Sequence, residues 1–144
     1  MIEIEITNLA DFEKKMNAFP GQVIAAAARV LREEAEEVMT RSKELVPVDL
    51  GTLRDSGHVP PTKRIGNTIE VEMVYGGEAK EYAVAVHEHL SHHSPPSWFA
   101  AEYAGRPVKF SPAGTGPKFL ERPYLEAVPR IPARFIEAFK RIFR

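Results

Sequence analysis

The chain contains no cysteine, and its 144 residues include a single tryptophan. The missing cysteine excludes a disulfide framework, a thiolate zinc site and a cysteine nucleophile. It suits a protein made in a reducing cytoplasm and held together by packing. No apolar run approaches the roughly 20 residues of a membrane span, so no membrane contact is expected. The opening Met1-Ile2-Glu3-Ile4-Glu5-Ile6 lacks the basic flank and continuous apolar stretch of a signal peptide. There is little excess of either charge: the formal net charge is -1, against a globally basic nucleic-acid binder. What is present is ordinary for one soluble domain, with 44% apolar and 27% charged residues. The length is sufficient to bury a core without covalent staples. No internal repeat and no low-complexity tract is visible, so residues 1–144 read as one domain.

The near neutrality conceals a division. Residues 1–105 carry a net -7 and residues 106–144 a net +6. An acidic body and a basic tail are candidate complementary patches between copies of one chain; on charge alone, the simpler reading is two solvated surfaces that merely balance.

Hydrophobic spacing outlines the elements. Residues 2–7 alternate isoleucine with glutamate and end on threonine, the pattern of a half-buried strand. Asn8 and Asp11 resemble a cap and first-turn acid for a short helix carrying Leu9, Phe12, Met16 and Phe19 on one stripe. The strongest helix is expected from about Gly21 to Leu45. Its stripe is Leu31, Ala35, Val38, Ser42 and Leu45, extended upstream by Ile24 and Ala27/Ala28. The small side chains of Ala25–Ala28 leave room for a close-packed neighbour. Pro47 ends this helix near Val46. Residues 46–57 form an ordered connector, with Asp49 as a local acceptor, Gly51 free to take positive φ, and one helical turn over Gly51–Arg54.

Residues 58–64 and 68–75 predict a hairpin about Gly66-Asn67, the first strand marked as an edge by Pro60-Pro61. Residues 82–88 predict a further strand. Residues 89–118 hold five of the twelve prolines together with Trp98, Phe99, Tyr103 and Phe110, an extended loop or arm rather than a plain connection. A terminal helix is expected from about Pro132, with Val128, Ile131, Phe135, Phe139 and Ile142 on its apolar stripe.

The residues bear on four chemistries. His87, His89, His92 and His93 lie within seven residues beside Glu88, and His87, His89 and His93 are candidate metal ligands for a metal-dependent enzyme. The spacing matches neither H-E-x-x-H nor a four-ligand structural site. Ser56, Ser91, Ser94 and Ser97 lie near histidines in sequence, but no G-x-S-x-G elbow occurs. Gly114-Thr115-Gly116-Pro117-Lys118 lacks the full phosphate-loop pattern and reads as a turn that delivers Phe119 to the core. Arg122, Arg130, Arg134, Lys140, Arg141 and Arg144 would allow a DNA-binding module; more simply, they solvate an amphipathic helix and suit its C-terminal dipole. The reading is that the chain is not an enzyme and needs no cofactor.

Three segments in order carry a resemblance. They are Val46-Pro47-Val48-Asp49-Leu50-Gly51-Thr52-Leu53-Arg54-Asp55-Ser56-Gly57, then Tyr82-Ala83-Val84-Ala85-Val86-His87-Glu88, then Lys118-Phe119-Leu120-Glu121-Arg122-Pro123. With the helices around them, over about residues 20–144, they resemble the tail-completion or head–tail joining proteins of long-tailed bacteriophages and prophages. Leu50 departs from the threonine usual there, and the stretch from His92 to Gly116 is longer than in the family pattern. The resemblance implies an α+β fold, a long N-terminal helix packed on a small antiparallel sheet with a C-terminal helix. It implies a virion structural role in a ring of six copies at the head–tail junction. The implied partners are other copies, a connector or head-closure protein, and the tail tube or tail terminator, with DNA passing through the lumen without specific binding. The residues it marks for assembly or structure are Val46, Pro47, Asp49, Gly51, Leu53, Arg54, Tyr82, His87, Glu88, Lys118, Phe119, Leu120, Glu121 and Pro123. Trp98, in the long loop, is added as an aromatic interface anchor. An acidic lumen would let DNA slide; Glu33, Glu34, Glu36 and Glu37 are candidates to line it, and equally candidates for a solvated outer helix face.

Overall fold

The computed structural model describes residues 9–46, 51–66, 68–77, 83–84, 87–88 and 115–143. The expected strand over residues 2–7 and most of the loop over 89–118 lie outside them, as do Pro47, Asp49, Tyr82, His89, His92, His93 and Trp98.

Helix α1 is Leu9–Ala18 and helix α2 is Pro20–Leu45, with Phe19 as the hinge between them. Proline at the first position of α2 sacrifices no intrahelical hydrogen bond, because that N–H would be unpaired in any case. The helix ends where Pro47 requires. Val46 is already extended, at φ -65° and ψ 130°, and its N–H closes the last turn on the Ser42 carbonyl at 3.1 Å. Helix α3, Gly51–Ser56, fulfils the expected helical turn and extends it by two residues. Gly51 is not among the positive-φ residues, and a Cβ there would meet nothing within 4 Å. The backbone freedom expected of Gly51 is therefore unused.

The hairpin forms, but shorter than expected. β1 is Lys63–Ile65 and β2 is Thr68–Glu70, antiparallel with Lys63 opposite Glu70 and Ile65 opposite Thr68. Gly66 takes φ +60° in the turn, where an L side chain would be strained. Pairing resumes at His58 and Val74, which exchange both backbone hydrogen bonds at 2.9 and 3.0 Å. Between the two pairings, Val59–Thr62 stand opposite only Val71–Met73, so one strand carries an extra residue. The extra residue falls where Pro60 and Pro61 cannot donate to a ladder.

At the C-terminus, α4 is Glu121–Ala127, a 3-10 turn covers Val128–Arg130, and α5 is Ile131–Ile142. Pro129 lies in the 3-10 turn and Pro132 in the first turn of α5, where its missing N–H breaks no intrahelical bond. The architecture is thus α+β and mainly helical, with a long helix, a small two-stranded sheet and a C-terminal helix.

Helix α2 serves three clusters in turn. Ala26 and Val30 receive Ala138, with Phe135, Phe139 and Ile142 packed beside them. The small side chain of Ala26 admits α5 closely, as the alanine run suggested. Ala35 and Met39 meet Val59 of the hairpin base, flanked by Val71, Met73 and Tyr75. Leu45 and Val46 join Leu53, Ala83 and Phe119. The buried stripe is Val23, Ala26, Val30, Glu34, Ala35, Val38, Met39, Ser42 and Leu45. Its upper half is rotated by one residue from the expected Ile24, Ala27/Ala28 and Leu31, all of which are only half-buried. Phe19 of the expected α1 stripe is 45% exposed.

Candidate functional site

The second and third motif segments meet on the first. Residues 82–88 were expected to be a strand, yet Ala83, Val84, His87 and Glu88 are helical. Ala83 is buried and His87 partly so, while Val84 and Glu88 are exposed. Alternation of alanine and valine says little about the period, because both are apolar. Ala83 and His87 both pack against Phe119, 32 positions beyond His87 in the sequence and 1% exposed.

Phe119 is the centre of the arrangement. Its ring meets His87 edge-on at 4.9 Å and Tyr75 edge-on at 5.1 Å, the geometry that aligns the positive edge of one ring with the negative face of another. Below it are Val46 and Leu53, both fully buried. The turn before it works as expected. Gly116 N–H reaches the Leu45 carbonyl at 3.0 Å, closing an open carbonyl at the end of α2. Lys118 N–H reaches the His87 carbonyl at 2.8 Å. Lys118 itself sits at φ +58°, a left-handed conformation that costs a non-glycine residue energy.

A polar strap lies across this core. His87 Nδ1 is 2.7 Å from Glu88 Oε1, and the Glu121 backbone N–H donates to His87 Nε2 at 3.4 Å. Because Nε2 accepts, Nδ1 carries the hydrogen and donates to the carboxylate. The Lys118 ammonium spans Glu88 Oε2 at 2.7 Å and Glu121 Oε2 at 2.9 Å. The ammonium and the imidazole hold the Glu88 carboxyl below its ordinary pKa, the lysine contributing more. Glu121, then Glu88, raise that of Lys118. Pro123 is buried one turn on, and Leu120 packs against the core. Gly51, Arg54 and Glu121 are exposed.

His87, Glu88 and Glu121 bring ligand-type atoms within 4.8 Å of one another. The ammonium of Lys118 already bridges the two carboxylates, and both imidazole nitrogens are engaged. These residues therefore suit a structural strap better than a cation site.

Beside the strap, Ser42 is fully buried and its hydroxyl is 2.7 Å from that of Tyr75. Burial raises the Tyr75 phenol above its usual pKa, the Ser42 hydrogen bond acting the other way. Gly57 makes this packing possible. A Cβ there would lie 2.6 Å from Tyr75 Cε1 and 2.9 Å from Met39 Sδ. The sequence marked Gly57 only as the end of a motif.

The charged faces are used within the chain. Glu34 is 2% exposed. Its Oε2 accepts from Arg130 Nε at 2.9 Å, and Arg134 Nε lies 2.5 Å from its Oε1. That second contact is an ion pair without hydrogen-bond alignment. Glu37 takes the other arms of the same guanidiniums at 2.8 and 2.7 Å. Arg29 pairs with Glu33 and Arg32 with Glu36. Arg32 also donates to the carbonyls of Pro60 and Val59, tying the hairpin base to α2. The four glutamate candidates for an acidic lumen or a solvated face thus have cationic partners in their own chain. Arg130 and Arg134 of the basic tail are not free for phosphates.

Among the described residues, no helix is long and apolar enough to cross a membrane. A family model described as "Bacteriophage HK97-gp10, putative tail-component" matches residues 10–94. No curated protein matches the chain, and no solved structure does.

Proposed function

Because the chain belongs to the HK97-gp10-like family of bacteriophage tail components, we propose that it is a virion structural protein, a ring subunit at the head–tail junction of a long-tailed phage. Six copies form the ring. It completes the tail and joins it to the head, touching a connector or head-closure protein on one side and the tail tube or tail terminator on the other. DNA passes through its lumen without specific binding. The role is structural rather than catalytic.

The observation that carries this reading is how the motif residues are spent. Val46, Leu53 and Phe119 are packed into one core, while His87, Glu88, Lys118 and Glu121 are bonded to one another above it. A catalytic site keeps a nucleophile or base open towards a substrate. Here the same residue types lock three distant segments into one rigid body, as a subunit held in register with its neighbours requires.

The test is genetic and biochemical. A phage lacking the protein accumulates filled heads and separate tails, and adding purified protein to the mixed extract restores joined particles. Normal joined, infectious particles in its absence would refute the reading.

A further inference from the structure

Among the described residues, the tip of the hairpin pairs with itself and with little else. All three residues of β1 are exposed, as are Thr68 and Glu70 of β2. Ile65 keeps 65% of its surface. Among the described residues the sheet has two strands, so each presents an outer edge. A two-stranded ribbon is marginal on its own, and an open edge is a template for another strand. The base of this ribbon is anchored, through Val59 on Ala35 and Met39 and through Arg32. The tip therefore projects from a fixed support.

The two edges differ in charge. Lys63 and Arg64 lie on β1; Glu70 lies on β2, with Glu72 just beyond it. Lys63 Nζ pairs with Glu72 Oε2 at 2.9 Å and Arg64 Nε donates to the Gly66 carbonyl at 3.1 Å, both at exposed positions where partners exchange at little cost. Within the hairpin, Lys63 faces Glu70, Arg64 faces Ile69 and Ile65 faces Thr68. Suppose β1 of a second copy lies along the outer edge of β2 in the same antiparallel register. Lys63 of the second copy then falls beside Glu70, and the stem of its Arg64 lies over Ile69. Opposite charges in directly opposed positions stabilise a sheet, and like charges destabilise it. Pairing β1 with β1 would gather cations, and pairing β2 with β2 would gather carboxylates. The charges favour a contact between unlike edges, which repeats from copy to copy and closes into a ring when the rotation permits.

We propose that the outer edge of β2, Thr68–Glu70, receives the outer edge of β1, Lys63–Ile65, from a second copy of this chain. This rests on the ring reading above and names the surface that builds it. It is favoured over the acidic-body and basic-tail contact because the Lys63–Glu72 pair is exposed and can exchange partners, whereas Arg130 and Arg134 are held by the buried Glu34 carboxylate.

The absence of cysteine gives a clean background for the test. The Arg64→Cys and Ile69→Cys proteins are prepared separately in the full chain, so a disulfide between the two positions can form only between molecules. Under mild oxidation the equimolar mixture should form mixed dimer about tenfold faster than either variant alone forms its own dimer, because docking raises the local thiol concentration. Ile65→Cys with Thr68→Cys gives a second pair should Ile69→Cys fold poorly. Sedimentation is run on the same samples. Self-association without excess mixed disulfide in either pair would overturn the hairpin contact and leave the ring reading standing. A monomer with no excess would overturn the contact, and absence of the protein from virions would then remove the ring reading as well. Preferential intramolecular disulfide between Arg64→Cys and Glu3→Cys in one chain would show that the edge is covered from within, and would also overturn the proposal.

Discussion

Removing Glu34 and removing its two arginines are unequal perturbations. The carboxylate is buried, with 3% of its side chain exposed, whereas Arg130 and Arg134 keep 44% and 35% of theirs. Arg130→Ala with Arg134→Ala strands an unpaired carboxylate in the α2–α5 interface and should cost about 3–5 kcal/mol. Glu34→Ala instead leaves two guanidiniums that rotate into water. Its cost is the net worth of the hydrogen bonds, discounted because the arginine heads are screened, or about 1–2 kcal/mol. Glu34→Met keeps the volume and removes the desolvation penalty, and should come within about 1 kcal/mol of wild type. For a chain of this length the double arginine variant should lose roughly 10–15 °C in Tm. Urea and thermal unfolding followed by circular dichroism measure all three. A double arginine variant within about 1 kcal/mol of wild type, or a Glu34→Ala variant that is the more damaged, would refute the placement of Glu34 as a buried carboxylate held by the tail.

Other predictions concern the Phe119 region. Gly57→Ala should cost about 1–3 kcal/mol by displacing Tyr75 and Met39, whereas Gly51→Ala, with open space around it, should be close to neutral in the same urea titration. Phe119→Ala should cost about 3–5 kcal/mol as a cavity in the shared core; a loss under about 1 kcal/mol would mean that the motif segments do not meet there. Lys118→Gly should be less damaging than Lys118→Ala, because both lose the ammonium but only glycine relieves the positive φ. Since the folded Glu88 carboxyl titrates below its ordinary range, its contribution is present above the unfolded pKa and is lost as pH falls through the folded one. The Tm of wild type should therefore fall more steeply than that of Glu88→Gln as the pH drops below about 4.5, and parallel curves would remove the Lys118–Glu88 strap.

Much of the frame was legible because its signals are local. Proline at residues 20 and 47 brackets α2, and the Phe135, Phe139 and Ile142 stripe defines the packed face of α5. The turn that inserts Phe119 was also visible, since glycine and proline precede an aromatic residue. What escaped was decided by distant partners. Glu34 is one of four glutamates within five residues, and only its distant partners Arg130 and Arg134 mark it as the buried one. Ala83-Val84 is apolar and suits either period, so nothing local marks it or His87-Glu88 as helical. The positive φ of Lys118 has no signature in residue type. The division of charge between the two parts of the chain was real, but it could not say whether the two signs meet within a copy or between copies. Glu34 and Glu37 answer for Arg130 and Arg134.

The most direct measurement of the central claim is electron microscopy of purified particles with this chain located by labelling. The account predicts six copies in a ring at the head–tail junction, with the hairpin tips at the contacts between neighbouring copies. Particles that join normally and contain none of the chain would contradict it.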